Sequence, residues 1–160
     1  MMPMKNNTIR ELIFEMKEQL LLFHFLSNEE VELIIPYLDI IAFPKGAKIF
    51  KEGEKGDFVG FISQGRLEVK KSTEFEGKQV VLATLGRGSM VGELSFVDID
   101  EPRTATVVAL ENAEIVILKR DALEDLTGKW PQIGIKILKG IIRILAVRLR
   151  KSVERLTLIF

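Results

Sequence analysis

The sequence predicts a mainly β domain, closed as a barrel or sandwich, with helices at both ends. Three observations carry that expectation. Short apolar runs separated by turn residues fill the middle of the chain, where most of its twelve glycines lie, between Gly46 and Gly92. Before and after that middle, apolar residues recur at spacings of three and four, the period of a half-buried helix. No run long enough for a crossover helix separates the strand-like stretches, which argues against a doubly wound parallel sheet.

The first helix is read from Thr8 to Leu26, with Ile9, Leu12, Ile13, Met16, Leu20 and Phe23 on one face and Thr8 and Glu11 spaced as a capping box. Ser27 opens a second, shorter helix, with Glu30 at the reciprocal capping position and Pro36 kinking or ending it. Val31, Leu33, Ile34, Ile35 and Leu38 are its expected buried side. Strands are expected over 47–50, 58–63, 67–71, 80–85, 104–110 and 113–119. Arg66-Leu67-Glu68-Val69-Lys70 alternates charge and apolar side chain, as a strand with one wet face does. A short helix over 121–126 follows, and Pro131 suits the first turn of a long last helix. Leu138, Ile142, Leu145, Leu149, Ser152, Leu156 and Ile159 form a coiled-coil-like seam on it, and Ile133, Ile137, Ile141 and Ile144 form a second apolar stripe. One stripe is expected on the domain and the other against a second copy of the chain. The parts are thus N-terminal helices (1–38), the strand-rich middle (39–120) and C-terminal helices (121–160).

Composition narrows the function. Lys plus Arg and Asp plus Glu both number 23, so the net charge is zero and gives no general reason to expect nucleic acid or a membrane surface as partner. The absence of cysteine excludes disulfides, thiolate metal sites and cysteine nucleophiles. The single histidine, His24, is read as a partly buried packing residue, which weighs against a metal-dependent barrel enzyme. No apolar stretch approaches the roughly 20 residues of a membrane span, and no signal peptide is apparent, so the expected location is cytoplasmic.

The chemistry concentrates in Gly88-Ser89-Met90-Val91-Gly92-Glu93-Leu94-Ser95-Phe96 and in Arg103-Thr104-Ala105. Gly92 permits close backbone approach. Leu94-Ser95-Phe96 can begin a short helix whose free amides face an anion. Arg103, always charged and planar, is a reasonable phosphate clamp. Glu93 is out of place beside a bare phosphate but suits the hydroxyls of an attached sugar. The combination points to a phosphate-sugar ligand.

This series, with Gly53, Gly56-Asp57 and Gly65 upstream, resembles the phosphate-binding cassette and opening strands of the cyclic nucleotide-binding domain family. The resemblance runs through most of the chain. It implies a double-stranded β-helix, a jelly-roll-like β-roll, flanked by N-terminal helices and a long C-terminal helix that serves as lid or dimer contact. It implies a ligand, cyclic AMP or cyclic GMP, and no cofactor or metal. Glu93 then holds the ribose 2′-hydroxyl, and Gly92 lets the sugar approach. The amides around Leu94 and Ser95, with Arg103, clamp the cyclic phosphate, and Thr104 offers a hydroxyl to the phosphate or the base. In eukaryotic relatives a Thr there favours cyclic GMP, whereas bacterial regulators use Ser or Thr with cyclic AMP, so Thr104 leaves the base open. Phe61, Leu82 and Val91 are expected wall residues, and loss of Arg103 is expected to spare the fold.

Within the family, the sensor part of bacterial catabolite-activator-type transcription regulators is the nearest match in architecture. No helix-turn-helix pair follows the long helix, so no DNA-binding domain is expected in this chain, and the downstream effector is open. Arg143, Arg148, Lys151 and Arg155 read as a solvated face rather than as DNA contacts. The stretch from Arg143 to Leu149 is expected near the mouth of the site. The expected function is a non-enzymatic sensor signalling through its C-terminal helix as a homodimer. The alternative is a degenerate, non-binding member of the fold acting as a protein-interaction module, against which intact Glu93 and Arg103 speak.

Overall fold

A computed structural model describes residues 6–75 and 77–159. Helix α1 spans Asn6–Met16, so Thr8 lies inside it and does not cap it. The predicted continuation to Leu26 is instead a 3-10 turn, Leu21–Phe25. His24, within that turn, is exposed rather than partly buried. Helix α2, Asn28–Ile34, has the predicted capping box: Ser27 Oγ accepts from Glu30 N at 3.1 Å and the Glu30 carboxylate accepts from Ser27 N at 2.8 Å. Pro36 falls in a second 3-10 turn, Ile35–Tyr37. It lacks the N–H needed to continue α2. Val31, Ile34 and Ile35 are buried, but Leu33 is exposed, and Leu38 already belongs to the first strand.

Among the described residues eight strands follow: β1 Leu38–Phe43, β2 Lys48–Phe50, β3 Phe58–Gln64, β4 Leu67–Ser72, β5 Gln79–Leu85, β6 Met90–Val91, β7 Thr106–Ala109 and β8 Ala113–Lys119, with helix α3, Glu93–Val97, between β6 and β7. They form two antiparallel four-stranded sheets, ordered β1-β8-β3-β6 and β2-β7-β4-β5. The roll expected from the resemblance is this pair of sheets. Its core takes Phe50, Leu67 and Val107 from one sheet and Phe43, Ile62, Val91, Ile115 and Ile117 from the other.

The first sheet is buried on both faces. The period of two sends Ile115 and Ile117 into the roll and Val116 and Leu118 outward, where they meet a second core built by the helices. The unbroken apolar run Ile115–Leu118 is the signature of such a strand. The same alternation sends Phe61 to the helical core, so it is not a wall residue of any recess in the roll.

Helix α4, Arg120–Lys129, leads into α5, Pro131–Thr157. Ile133, Ile137, Ile141 and Ile144 are buried against the N-terminal helices and the first sheet. At Gly140 the approach is so close that a Cβ would lie 2.5 Å from the Leu22 carbonyl oxygen, so only glycine fits. A half-buried ion pair fastens the two helical ends: Lys136 Nζ donates to both Glu30 oxygens at 2.6 and 2.8 Å, which holds the Glu30 carboxyl below its ordinary range. Among the described residues no helix is long and apolar enough to cross a membrane.

Candidate functional site

Gly92 turns the chain from β6 into α3. Its φ of +81° lies in the left-handed region. A Cβ there would also sit 2.4 Å from Arg103 Nη1, so glycine is required twice over. Because Gly92 has no side chain, the first turn of α3 has no side-chain cap, and its leading amides are not used up within the helix.

Arg103 is brought to the same place by its backbone. Its N–H donates to Glu54 O at 2.7 Å and its carbonyl accepts from Gly53 N at 2.8 Å, in a bridge against the turn before β3. The side chain is 2% exposed. The guanidinium lies over the rings of both Phe50 and Phe58, at 4.1 and 4.5 Å from their centroids, and the two rings meet edge-on. Nη1 donates to Gly92 O at 2.9 Å and to Ser95 Oγ at 3.0 Å, and Nη2 donates to Phe58 O at 3.0 Å. Nε is buried without an acceptor. Among the described residues no carboxylate comes within salt-bridge distance of this cation. Burial, and secondarily the nearby charge of Arg120, pull its pKa below the ordinary value, while Asp57, Glu54 and Glu93 oppose the shift. A guanidinium stays charged through such a shift. The result is a buried positive charge held by neutral acceptors, an arrangement that costs free energy until an anion arrives.

Glu93, at the start of α3, is mostly buried and bound by α5. Arg148 Nη1 donates to Glu93 Oε1 at 2.6 Å, and Arg148 Nη2 donates to the Met90 carbonyl. Arg148, read from sequence as part of a solvated face, therefore spans from the last helix into the site. Its partner lies 55 residues earlier in the chain, and no local spacing announces the pair.

These groups line one recess that is partly open to solvent. Gly92, Glu93, Leu94, Ser95, Arg103 and Thr104, the six residues singled out from sequence, all lie on its wall. Phe50, Val69, Leu85, Met90, Val91, Ala105 and Val107 supply the apolar side, and Arg148 stands among the polar groups. Val91 is thus a wall residue as expected, whereas Leu82 is exposed on β5 and takes no part. Phe50 and Phe58, whose rings Arg103 covers, carry no signal of this role in sequence, because aromatic residues at strand ends read as ordinary core. Among the described residues no cluster of three or more His, Asp or Glu is placed to hold a metal ion.

A recess with a cation, a carboxylate, helix-turn amides and an apolar wall can take a compact anion bearing a sugar and a flat apolar group. Comparison with known proteins agrees in kind. The family model described as "Cyclic nucleotide-binding domain" matches residues 40–129. The chain is 33% identical over 131 residues to a cyclic AMP receptor protein of Thermus thermophilus, covering 82% of this chain and 58% of the relative. It is 28% identical over 116 residues to human cGMP-dependent protein kinase 2, covering 72% of this chain and 15% of the kinase. Hence it spans little more than half of the first and a small part of the second. Among solved structures, a cyclic nucleotide-binding domain from Methylobacillus flagellatus superposes with a TM-score of 0.84 at 31% identity, covering 96% of this chain and 85% of that one.

Proposed function

The chain belongs to the cyclic nucleotide-binding domain family, and on that premise we propose that it is a non-enzymatic regulatory domain that binds cyclic AMP or cyclic GMP in the recess beside α3 and reports occupancy through α5. The observation that carries the reading is the buried Arg103 guanidinium, unpaired by any carboxylate among the described residues, on the same wall as Glu93. Arg103 and the first-turn amides of α3 take the cyclic phosphate. Glu93 accepts from the ribose 2′-hydroxyl, Gly92 gives the sugar room, and Thr104 meets the phosphate or the base. The apolar wall from Val69 to Val107 receives the base.

The ion pair from Arg148 to Glu93 gives α5 a direct stake in the ligand. A ribose that takes one carboxylate oxygen must share Glu93 with Arg148 or displace it, so occupancy biases where the last helix lies. The exposed side of α5 is proposed to pair with a second copy. The location is proposed to be cytoplasmic, and an effector of the transcriptional or kinase type is proposed after relatives named as a cAMP-activated global transcriptional regulator and a cGMP-dependent protein kinase.

The ribose contact is tested by a thermodynamic cycle. Removing the 2′-hydroxyl from the cyclic nucleotide is expected to cost the wild-type protein about 1.5–3 kcal/mol, the range for a hydrogen bond to a charged group. In Glu93→Ala, the 2′-deoxy and ribose forms are expected to bind alike, the loss having been taken already. An equal penalty in both proteins, measured by calorimetry, removes Glu93 from the ribose.

A further inference from the structure

Arg120 is a guanidinium behind this site, off the wall of the recess, that no sequence motif pointed to. It is the first residue of α4. Its N–H donates to Asp57 O at 2.7 Å. Nη2 donates to Gly56 O at 2.7 Å and also to Ser95 O, and Nε donates to Phe96 O at 3.0 Å. It therefore binds the backbone of both segments that Arg103 binds: the turn before β3, where Arg103 holds Phe58 O, and the stretch from Gly92 to Phe96, where Arg103 holds Gly92 O and Ser95 Oγ. The segments pack without slack. A Cβ on Gly56 would lie 2.1 Å from Ser95 Oγ and 2.9 Å from Arg103 Nε. Among the described residues Arg120, like Arg103, has no carboxylate within salt-bridge distance.

We propose that Arg120 is a positioning residue for the anion site: it keeps α3 against the Gly56 turn when a bound anion draws Arg103 away from its backbone acceptors, and it couples the place of α3 to α4. The inference rests on the proposed binding of a cyclic nucleotide. A phosphate that takes more than the two N–H groups Arg103 has free, on Nε and on Nη2, must draw on those now given to protein. Three of its five N–H groups are engaged with Gly92, Ser95 and Phe58. When they turn to the ligand, the three carbonyls on the Arg120 side chain keep the first-turn amides and Glu93 in place. The guanidinium reaches its three acceptors from two separate nitrogens, Nε and Nη2, and an ammonium group with one nitrogen does not reproduce that. Because Arg120 begins α4, which runs into α5, a shift of α3 is carried to the last helix through the same side chain.

The test uses the full chain with Arg120→Ala and Arg120→Lys, titrated with a cyclic nucleotide and with its nucleoside, which lacks the phosphate. Arg120→Ala is expected to weaken the cyclic nucleotide at least tenfold and the nucleoside far less, so that their affinity ratio falls, with Arg120→Lys in between. Hydrogen exchange in the ligand-free protein is expected to quicken at 93–97 and 56–58 and to stay slow in β1 and β8. A merely structural role would lower the melting temperature and leave the affinity ratio unchanged. That result, with a wild-type chain that binds, overturns this inference alone. A wild-type chain that binds no cyclic nucleotide overturns both this inference and the functional reading beneath it.

Discussion

Arg103→Ala is expected to lower affinity for the cyclic nucleotide by about two orders of magnitude. Truncating one partner of a buried charged contact costs about 2–5 kcal/mol, and every 1.4 kcal/mol is a factor of about ten. The sequence alone implied that this change would spare the fold. The structure revises that: Arg103 is buried, lies over the rings of both Phe50 and Phe58, and satisfies Gly92 O, Ser95 Oγ and Phe58 O. Removing it leaves those acceptors without their donor and uncovers two ring faces, so the melting temperature is expected to fall as well. The roll should still form, because its core draws on Ile62, Leu67, Val107, Ile115 and Ile117, none of which depends on the guanidinium. Arg103→Lys separates the two losses. It keeps the charge and gives up the fork, and it is expected to bind better than Arg103→Ala but below wild type. Affinity by calorimetry and thermal unfolding by circular dichroism read the two effects apart, and unchanged affinity in Arg103→Ala removes the clamp from the account.

The second large effect is expected in the assembly. Ile135, Ile142, Leu149 and Leu156 are 51, 63, 67 and 57% exposed, and they are spaced by seven along α5. Leu138 is also exposed, whereas Leu145, one of the residues expected in the seam, is half-buried against the helical core. Of the seam read in sequence, Leu138, Ile142, Leu149 and Leu156 are therefore free, Ile135 extends it by one heptad, and only Leu145 is drawn toward the core. A fully buried Leu or Ile is worth about 1.5–3 kcal/mol, and in a symmetric pair each counts twice. That scale matches the roughly 4–15 kcal/mol lost on association. Ile142→Glu with Leu149→Glu is expected to convert a dimer to a monomer with the roll intact, since neither side chain touches the core. Sedimentation of the wild-type chain as a monomer with and without nucleotide would refute the pairing.

The fold was legible where periodicity was strong. The isoleucine stripe of α5, the capping box at Ser27 and the start at Pro131 follow from spacing and capping chemistry, which act within one or two turns. The boundary at Leu26 was less legible, because a 3-10 turn and an α-helix bury apolar residues at nearly the same spacing. Strand β6 is two residues long and has no period to read. At the site, Gly92, Glu93 and Arg103 could be found because they lie within one short stretch of chain. Arg120 could not, and for Arg148 only its stretch, 143–149, was expected near the mouth, without its partner: each reaches across the fold, Arg148 over 55 residues to Glu93 and Arg120 over as many as 64. A charged residue read alone is most simply placed in water, and only the carbonyls around Arg120 and the Glu93 carboxylate beside Arg148 explain why these are partly buried.

A calorimetric titration of the wild-type chain with cyclic AMP, cyclic GMP and the corresponding linear 5′-monophosphates tests the central claim most directly. A linear monophosphate carries more charge but presents a different shape to Arg103, Glu93 and the first turn of α3. The account predicts saturable binding of at least one cyclic nucleotide at micromolar concentration or below, one per chain, with its linear counterpart clearly weaker. Equal affinity for the two forms, or no binding of either cyclic nucleotide, would contradict it.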